Sequence, residues 1–159
     1  MGLREKALSY AQWSRENFTI TCDPARIDRA AVHAFLAGSY WAANIPREVV
    51  DRSIEGALCF ALLDGARQVG FARVITDRAT FAYLGDVYVL EQLRGRGLGK
   101  WLIDCVMKHP ALQGLRRWML VTRDAHGLYA PVGFTPLKAP DGHMERHDPD
   151  VYAGSTNRP

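Results

Sequence analysis

The sequence predicts one domain of the α/β or α+β class, in which helices pack against a β-sheet. Two patterns support this fold class. Apolar runs rich in β-branched residues alternate with segments whose apolar residues recur at helical spacing, and short turns join several of the predicted strands. A chain of 159 residues has the length of one domain and needs no disulfide or metal to build a core.

The first half of the chain alternates strands and helices. The expected elements are a strand at 18–23, a helix at 26–36, a loop with two adjacent aromatic residues at 39–46, a short helix after Pro46, and strands at 57–63 and 68–76. Asp64 and Gly65 separate the last two strands. This pair favours a tight turn, so the two strands are expected to form a hairpin.

The second half begins with a long strand at 79–90, in which Gly85 indicates a bulge or a close backbone approach. A glycine-rich corner follows at 93–101. The next helix is expected from one apolar stripe, formed by Leu98, Trp101, Leu102, Cys105 and Val106. A buried strand at 117–122, a broken helical segment at 124–134 and a final strand after it complete the expected fold.

The composition argues against several classes of protein. The chain has 48% hydrophobic and 23% charged residues and a formal net charge of +3, which is ordinary for a soluble protein and too small to indicate nucleic-acid binding. Its three cysteines give no disulfide framework, which favours a reducing compartment. No signal peptide and no membrane span is recognisable, so a cytoplasmic location is expected.

Three segments are expected along the chain. Residues 1–17 are assigned to an N-terminal extension and residues 18–150 to a single domain. The structural signal fades toward the C-terminus, so residues 151–159 are expected to be a disordered tail.

The sequence LRGRGLGKW at 93–101 concentrates three glycines and three cations at a strand-to-helix corner. A helix N-terminus presents unpaired backbone N–H groups and the positive end of the helix dipole, and glycines let the backbone wrap closely around an anion. The corner therefore predicts a phosphate site, with pyrophosphate as the expected group. Its spacing, G-x-G-x-G, fits neither the P-loop nor the dinucleotide fingerprint.

Arg94, Gly97 and Gly99 form the pattern R-x-x-G-x-G, and the surrounding VYVLEQLRGRGLGKWLI gives a strand, a loop and a helix in that order. Further along, LVTRDAHGLYAPVGF gives a strand and then a segment from a tyrosine to Gly-Phe. In these features the chain resembles the GNAT superfamily of N-acetyltransferases, most strongly over 81–134. The resemblance implies a mixed, mostly antiparallel central sheet flanked by helices, with two strands that splay apart around acetyl-CoA.

The resemblance also implies the cofactor contacts, with acetyl-CoA as cosubstrate. No metal is expected, because His143, Glu145 and His147 lack the spacing of a zinc-protease motif. Backbone amides of the corner would bind the pyrophosphate, from Arg94, Gly95, Arg96, Gly97, Leu98, Gly99 and Lys100. Val87, Tyr88 and Val89 would hold the pantetheine arm by main-chain hydrogen bonds, and a backbone amide of this strand would stabilise the oxyanion. The strands that splay would be 81–90 and 117–122.

Tyr129 matches the tyrosine that commonly protonates the departing thiolate in this superfamily. A phenol suits this role because it is protonated at neutral pH. Two features depart from the family pattern. Thr122, Arg123 and Asp124 stand where many relatives carry an Asn that contacts the cofactor, and Pro131 is expected to shorten the helix after Tyr129. The alternative interpretation of Tyr129 is a packed tyrosine with a satisfied hydroxyl.

Asp86 is the candidate general base because it directly precedes the expected pantetheine strand, and a carboxylate among apolar neighbours is a stronger proton acceptor. The alternatives are that Asp86 pairs with an arginine or faces water, and that ordered water removes the proton. Tyr40 and Trp41 lie in the loop that often lines the acceptor pocket in the superfamily, where they would contact the substrate. Alternatively, these two residues anchor the core.

The reaction implied by the resemblance is direct transfer of an acetyl group from acetyl-CoA to an amine within a ternary complex. A small-molecule amine is the expected acceptor because Tyr40 and Trp41 would close a small pocket, whereas a protein N-terminus or lysine would need an open groove. A non-catalytic acyl-CoA sensor and a phosphate-binding module for nucleic acid are the alternatives from other classes. A homodimer is compatible with the sequence, and no membrane or nucleic-acid partner is expected.

Overall fold

Six strands form one sheet in the described part of the chain, residues 9–154 of a computed structural model. They lie across the sheet in chain order: β1 (Gln12–Arg15), β2 (Phe18–Thr21), β3 (Leu58–Asp64), β4 (Arg67–Thr76), β5 (Phe81–Val89) and β6 (Arg117–Met119). Neighbouring strands are antiparallel except β5 and β6, which run parallel. The expected mixed, mostly antiparallel sheet flanked by helices is confirmed.

Helices cover both faces of this sheet. They are α1 (Arg29–Ala37), α2 (Arg47–Glu55), α3 (Leu98–Lys108) and the single-turn α4 (His126–Tyr129). Asp28 begins α1 by accepting a hydrogen bond from the Ala31 amide, and Gly38 ends it. No helix within residues 9–154 is long and apolar enough to cross a membrane.

The alternation of β3 side chains explains why its sequence is apolar throughout. Phe60 and Leu62 point into the cluster that contains the buried residues of α3, whereas Cys59, Ala61 and Leu63 point into the cluster under α1 and α2. A strand covered on both faces must be apolar at every position. The predicted hairpin of β3 and β4 is confirmed.

β5 and β6 are paired over a short distance and then separate. The pairs are Phe81 with Arg117, Ala82 with Trp118 and Tyr83 with Met119. β5 continues to Val89 without β6 beside it. This is the divergence that the resemblance implies, although β6 ends at Met119 and not at residue 122.

The expected final strand after residue 134 is wrong, because the described chain forms none there. Gly133 adopts φ +103° and turns the chain, and Pro136 lacks the N–H that a ladder needs. A cavity of about 550 Å³ lies between β6 and residues 132–139, so the two backbones are too far apart to pair. None of the site residues predicted from the sequence lines this cavity.

The ends of the described chain depart from the segments assigned from the sequence. β1, which was not predicted, pairs with β2 and so brings part of the expected extension into the sheet. Residues 151–154 form turns, and Tyr152 packs against the cluster under α1 and α2. Residues 1–8 of the expected extension and 155–159 of the expected tail lie outside the described residues.

Candidate active site

A bulge in β5 fixes the position of Asp86. Phe71 pairs with Tyr88 but Arg73 pairs with Gly85, so β5 carries one extra residue between these pairs. Asp86 lies there with φ +53°, in the left-handed region. The irregularity indicated by Gly85 therefore occurs one residue later. Aspartate adopts this region more readily than most residues because its short polar side chain can form local hydrogen bonds.

The Asp86 carboxylate is held by one donor on each oxygen. Its Oδ2 accepts a hydrogen bond of 2.7 Å from Arg73 Nε, and its Oδ1 accepts one of 3.0 Å from Trp41 Nε1. The side chains of Arg73 and Asp86 are only 18% and 11% exposed. Asp86 thus has the arginine partner that the sequence left open, and it also ties the loop between α1 and α2 to β5.

Tyr40 and Trp41 form an aromatic edge beside this carboxylate. Their rings meet edge to face with centroids 5.1 Å apart, and both side chains are exposed, by 54% and 43%. Trp41 also contacts Phe35, which stacks on Tyr88 at 3.8 Å. The exposure of the two rings leaves them available to a ligand.

Tyr129 is the last residue of α4, where Ala130–Val132 tighten into a 3-10 turn that contains Pro131. Its ring is buried against Phe134, with centroids 5.9 Å apart. Burial raises the pKa of Tyr129 to about 12, and Tyr40 contributes in the same direction. Within residues 9–154 the hydroxyl has no hydrogen-bond partner, so its proton is available to a ligand.

The glycine-rich corner leaves the N-terminus of α3 uncapped. Gly95 and Gly97 adopt φ +78° and +76°, and Gly97 is the N-cap residue. No described side chain caps this helix, and its first turn contains no acidic residue. The first N–H groups of the helix therefore remain without side-chain acceptors, as a phosphate site requires.

Two of the three cations in the corner contact the protein itself. Arg94 Nε donates to the Val89 carbonyl at 3.2 Å, which fastens the corner to the end of β5. The Arg96 guanidinium lies 5.1 Å from the centre of the Phe18 ring. Lys100 is exposed in the first turn of α3. The corner thus combines backbone donors with fixed positive charge.

The main chain of Val87, Tyr88 and Val89 lies along the part of β5 that β6 leaves open. The Tyr88 side chain is buried under α1 and α2, and the two valines pack toward the α3 cluster. This stretch therefore offers backbone groups to a ligand, as the sequence predicts for a pantetheine arm.

Direct contacts join three of the predicted catalytic and acceptor residues: Tyr40 packs on Trp41, which donates to Asp86. Tyr129 lies in the cluster that contains the buried residues of α3. Two contacts at this site are not predicted from the sequence. Arg73 binds Asp86, and the guanidinium carbon of Arg123 lies 3.9 Å from the centre of the Tyr40 ring. The sequence does mark Arg73 as unusual, because it is a charged residue inside the otherwise apolar run VGFARVI.

The described chain contains no group of three or more His, Cys, Asp or Glu side chains that could hold a metal ion. Its three cysteines are free and buried. Burial raises the pKa of Cys22 and Cys59 to about 12 and that of Cys105 to about 11.

We expect the three thiols to resist modification in the folded protein, because the reactive thiolate is suppressed by burial. At pH 8, a colorimetric disulfide reagent should titrate three thiols after denaturation and none in the native protein within minutes. Acetyl transfer should be unchanged by the reagent. Rapid labelling of one thiol, with loss of transfer, would instead indicate a cysteine in the reaction.

Comparisons with known proteins agree with this geometry. The sequence model of the family "Acetyltransferase (GNAT) domain" matches residues 55–136. The Gibberella zeae protein named Putative acetyltransferase FG08082 is 32% identical over 140 residues, which cover 74% of this chain and 78% of that protein. A crystal structure of a GNAT-family protein from Xanthomonas campestris pv. campestris is 51% identical, with a TM-score of 0.84 over 86% of this chain and 96% of that one.

A more distant structure shares the fold alone. The predicted acetyltransferase from Clostridium acetobutylicum, crystallised with acetyl-CoA, is 13% identical, with a TM-score of 0.56 over 87% of this chain and 95% of that one. The family model and the relatives together define an acyltransferase of the N-acetyltransferase class. The chain belongs to the GNAT acetyltransferase family.

Proposed function

We propose that the protein transfers an acetyl group from acetyl-CoA directly to an amine in a ternary complex. One observation carries the proposal: the β5 backbone that β6 leaves open begins beside the Asp86 carboxylate and ends next to the uncapped N-terminus of α3. A proton acceptor and an anion site thus lie at the two ends of the segment whose free backbone would receive the acyl donor. Tyr129, which is buried in the cluster that contains the α3 residues, is the proposed proton donor.

The residues present fit acetyl-CoA. The uncapped N-terminus of α3, from Leu98 to Lys100, would bind the pyrophosphate, with Gly95 and Gly97 allowing the close approach. The open backbone of Val87–Val89 would bind the pantetheine arm and hold the acyl oxygen. When bound, acetyl-CoA supplies the activated acetyl group.

The protein's own groups would move the protons. Asp86, or water beside it, takes a proton from the substrate ammonium to give the neutral amine that attacks. Each carboxylate oxygen already accepts one hydrogen bond, which favours the route through water. The nitrogen loses its second proton to solvent after it attacks, while Tyr129 gives its proton to the sulfur as it leaves and then recovers one from solvent.

The acceptor in this proposal is a small-molecule amine. Arg123, in the segment after β6, stacks on Tyr40, in the loop after α1, and so narrows the space over the site. A protein N-terminus or lysine is the alternative acceptor and would require these segments to separate. The three free cysteines support a cytoplasmic location.

Thermal unfolding with acetyl-CoA, coenzyme A or ATP tests the cofactor site. A ligand at about 100 times its dissociation constant adds roughly 2.7 kcal/mol to the free energy of unfolding. We expect both coenzyme A species to raise the melting temperature and ATP to have no effect, followed by thiol release with an amine panel. No shift with either coenzyme A species would contradict the proposed function, and binding without transfer to any amine would favour an acyl-CoA sensor.

The raised pKa of Tyr129 predicts the alkaline side of the pH profile. Because its pKa is about 12, the phenol keeps its proton well beyond the ordinary tyrosine value near 10. We therefore expect kcat to show no decline with an apparent pKa near 10, measured between pH 7 and 10.5 while circular dichroism verifies the fold. A decline centred near pH 10 would indicate that the acid is a solvated phenol.

A further inference from the structure

The face of the sheet that carries α1 and α2 is covered along only part of β4 and β5. Phe71 and Tyr88 are buried beneath these helices. Farther along the same face come Arg73, opposite Gly85, and then Ile75, opposite Tyr83. Ile75 is exposed. This open face begins at Asp86 and adjoins the loop that carries Trp41.

Arg73 has unused donors on this open face. Its guanidinium carries five N–H donors, and within the described chain only Nε has an acceptor, Asp86. Among fully buried side-chain nitrogen and oxygen atoms of residues 9–154, Gln68 Nε2 alone lacks a partner. The two Nη groups of Arg73 are therefore accessible, on a side chain that is otherwise largely buried and fixed by its ion pair.

Asp86 offers the complementary charge next to these donors. A carboxylate oxygen has two lone-pair sites, and each Asp86 oxygen uses one, for Arg73 or for Trp41. Arg73 Nε and Asp86 Oδ2 are 2.7 Å apart, so the pair places a cation and an anion side by side. The positive fork suits a carboxylate, and the negative group suits an ammonium.

We propose that the Arg73–Asp86 pair binds the acceptor as a zwitterion, so that the acceptor is a small amino acid whose amine and carboxylate are one or two carbons apart. The carboxylate binds the Nη groups of Arg73, and the ammonium faces Asp86 and the open edge of β5. This inference rests on the proposed acetyl transfer and specifies its substrate class. A lysine side chain has no adjacent carboxylate and would leave the Arg73 donors unused.

The other charges near this face leave the assignment unchanged. Burial raises the pKa of Tyr83; Asp86 and Glu145 raise it further, and Arg73 lowers it. Glu145 is exposed and has no ion-pair partner among the described residues. Arg123 lies beyond Tyr40 and is 3.7 Å from Asp124. The Arg73 side chain is 18% exposed and that of Arg123 is 64% exposed, so Arg73 is the more deeply buried of the two cations.

Matched acceptors test the inference on the unmodified protein. The common amino acids are compared with their amides and their decarboxylated amines, and with a lysine peptide blocked at both ends, by release of coenzyme A. We expect the best amino acid to exceed its amide and its decarboxylated amine at least tenfold in kcat/KM, mainly through KM, because each analogue loses a charge-assisted contact. This comparison is independent of whether any variant folds.

In Arg73→Gln, the ratio of kcat/KM for the amino acid to that for its amide or decarboxylated amine should fall toward one. Arg73→Lys should restore part of the ratio, since lysine keeps the positive charge but lacks the planar, two-pronged guanidinium. The double variant Arg73→Gln with Asp86→Asn avoids leaving an unpaired buried carboxylate. Because it also removes the proposed proton acceptor, it is read by the ratio of kcat/KM between each amino acid and its analogues, which should approach one, and not by its overall rate. Arg117→Gln is the matched control. It removes an exposed arginine from β6, beside the 550 Å³ cavity, and should keep the original preference.

Equal use of amino acids and their carboxylate-free analogues would overturn the inference and leave the proposed function intact. Transfer to the peptide or to simple amines alone, with none to any amino acid, would overturn it in the same way. If acetyl-CoA raises the melting temperature but no amine of any class is acetylated, both the inference and the proposed transfer fail. If the Arg73→Gln variant keeps the preference for amino acids, another residue binds the carboxylate and the assignment to Arg73 is overturned.

Discussion

Replacement of Tyr129 by Phe is expected to lower kcat by roughly 100-fold or more, the usual contribution of a positioned general acid. The dissociation constant for acetyl-CoA should change less than about twofold. The phenyl ring preserves the packing on Phe134, and the hydroxyl has no partner in the described chain whose loss would destabilise the fold. Steady-state kinetics with a saturating acceptor and calorimetric titration of coenzyme A measure the two quantities.

Tyr10→Phe is the matched control, since Tyr10 is an exposed tyrosine near the start of the described chain. It should leave kcat and cofactor binding unchanged. If Tyr129→Phe keeps kcat within about threefold of the original, Tyr129 is a packing residue and the thiolate takes its proton from solvent. If the variant instead loses cofactor binding and melts early, its defect is structural.

Gly97→Asp is expected to raise the dissociation constant for acetyl-CoA strongly while preserving the fold. Gly97 has φ +76°, and a Cβ added there meets no atom within 4 Å. Aspartate tolerates this backbone region, so the main change is a negative charge at the predicted pyrophosphate site. Two unit charges about 5 Å apart interact by about 3 kcal/mol at an effective dielectric constant of 20.

Gly97→Asn separates charge from backbone strain, because asparagine has nearly the same shape and the same tolerance for this conformation. We expect the dissociation constant for acetyl-CoA to be roughly 30- to 150-fold higher for the Asp variant than for the Asn variant. The difference should shrink as salt increases. Equal affinities at low salt would mean that the phosphates bind away from the corner.

The elements with strong local signals could be predicted from the sequence. The apolar stripe of α3, the turn between β3 and β4 and the corner at 93–101 are local features, and all three lie where they were expected. β1 was not predicted because its sequence, QWSR, is short and mostly polar. The prediction of a final strand was wrong because strand pairing depends on the distance to a partner strand, and no local sequence pattern contains that distance.

The site shows the same division between local and distant information. Tyr129 and the corner are recognisable because their residue types follow one another in a fixed order along the chain. Arg73 contacts Asp86 because β5 carries one extra residue, and this shift in register sets which residues oppose each other. The alternation of a strand predicts which face a residue occupies, but not a bulge on its neighbour.

The bulge at Asp86 also limits how this protein can evolve. Three separate requirements meet at one position: a backbone with φ +53°, an acceptor for Trp41 and a charge for Arg73. Asparagine meets the first two and glycine only the first. Lineages that lose both the arginine and the need for a proton acceptor here are therefore free to drift to asparagine at position 86, and those that also lose the tryptophan can drift to glycine, so the three positions should change together across descendants.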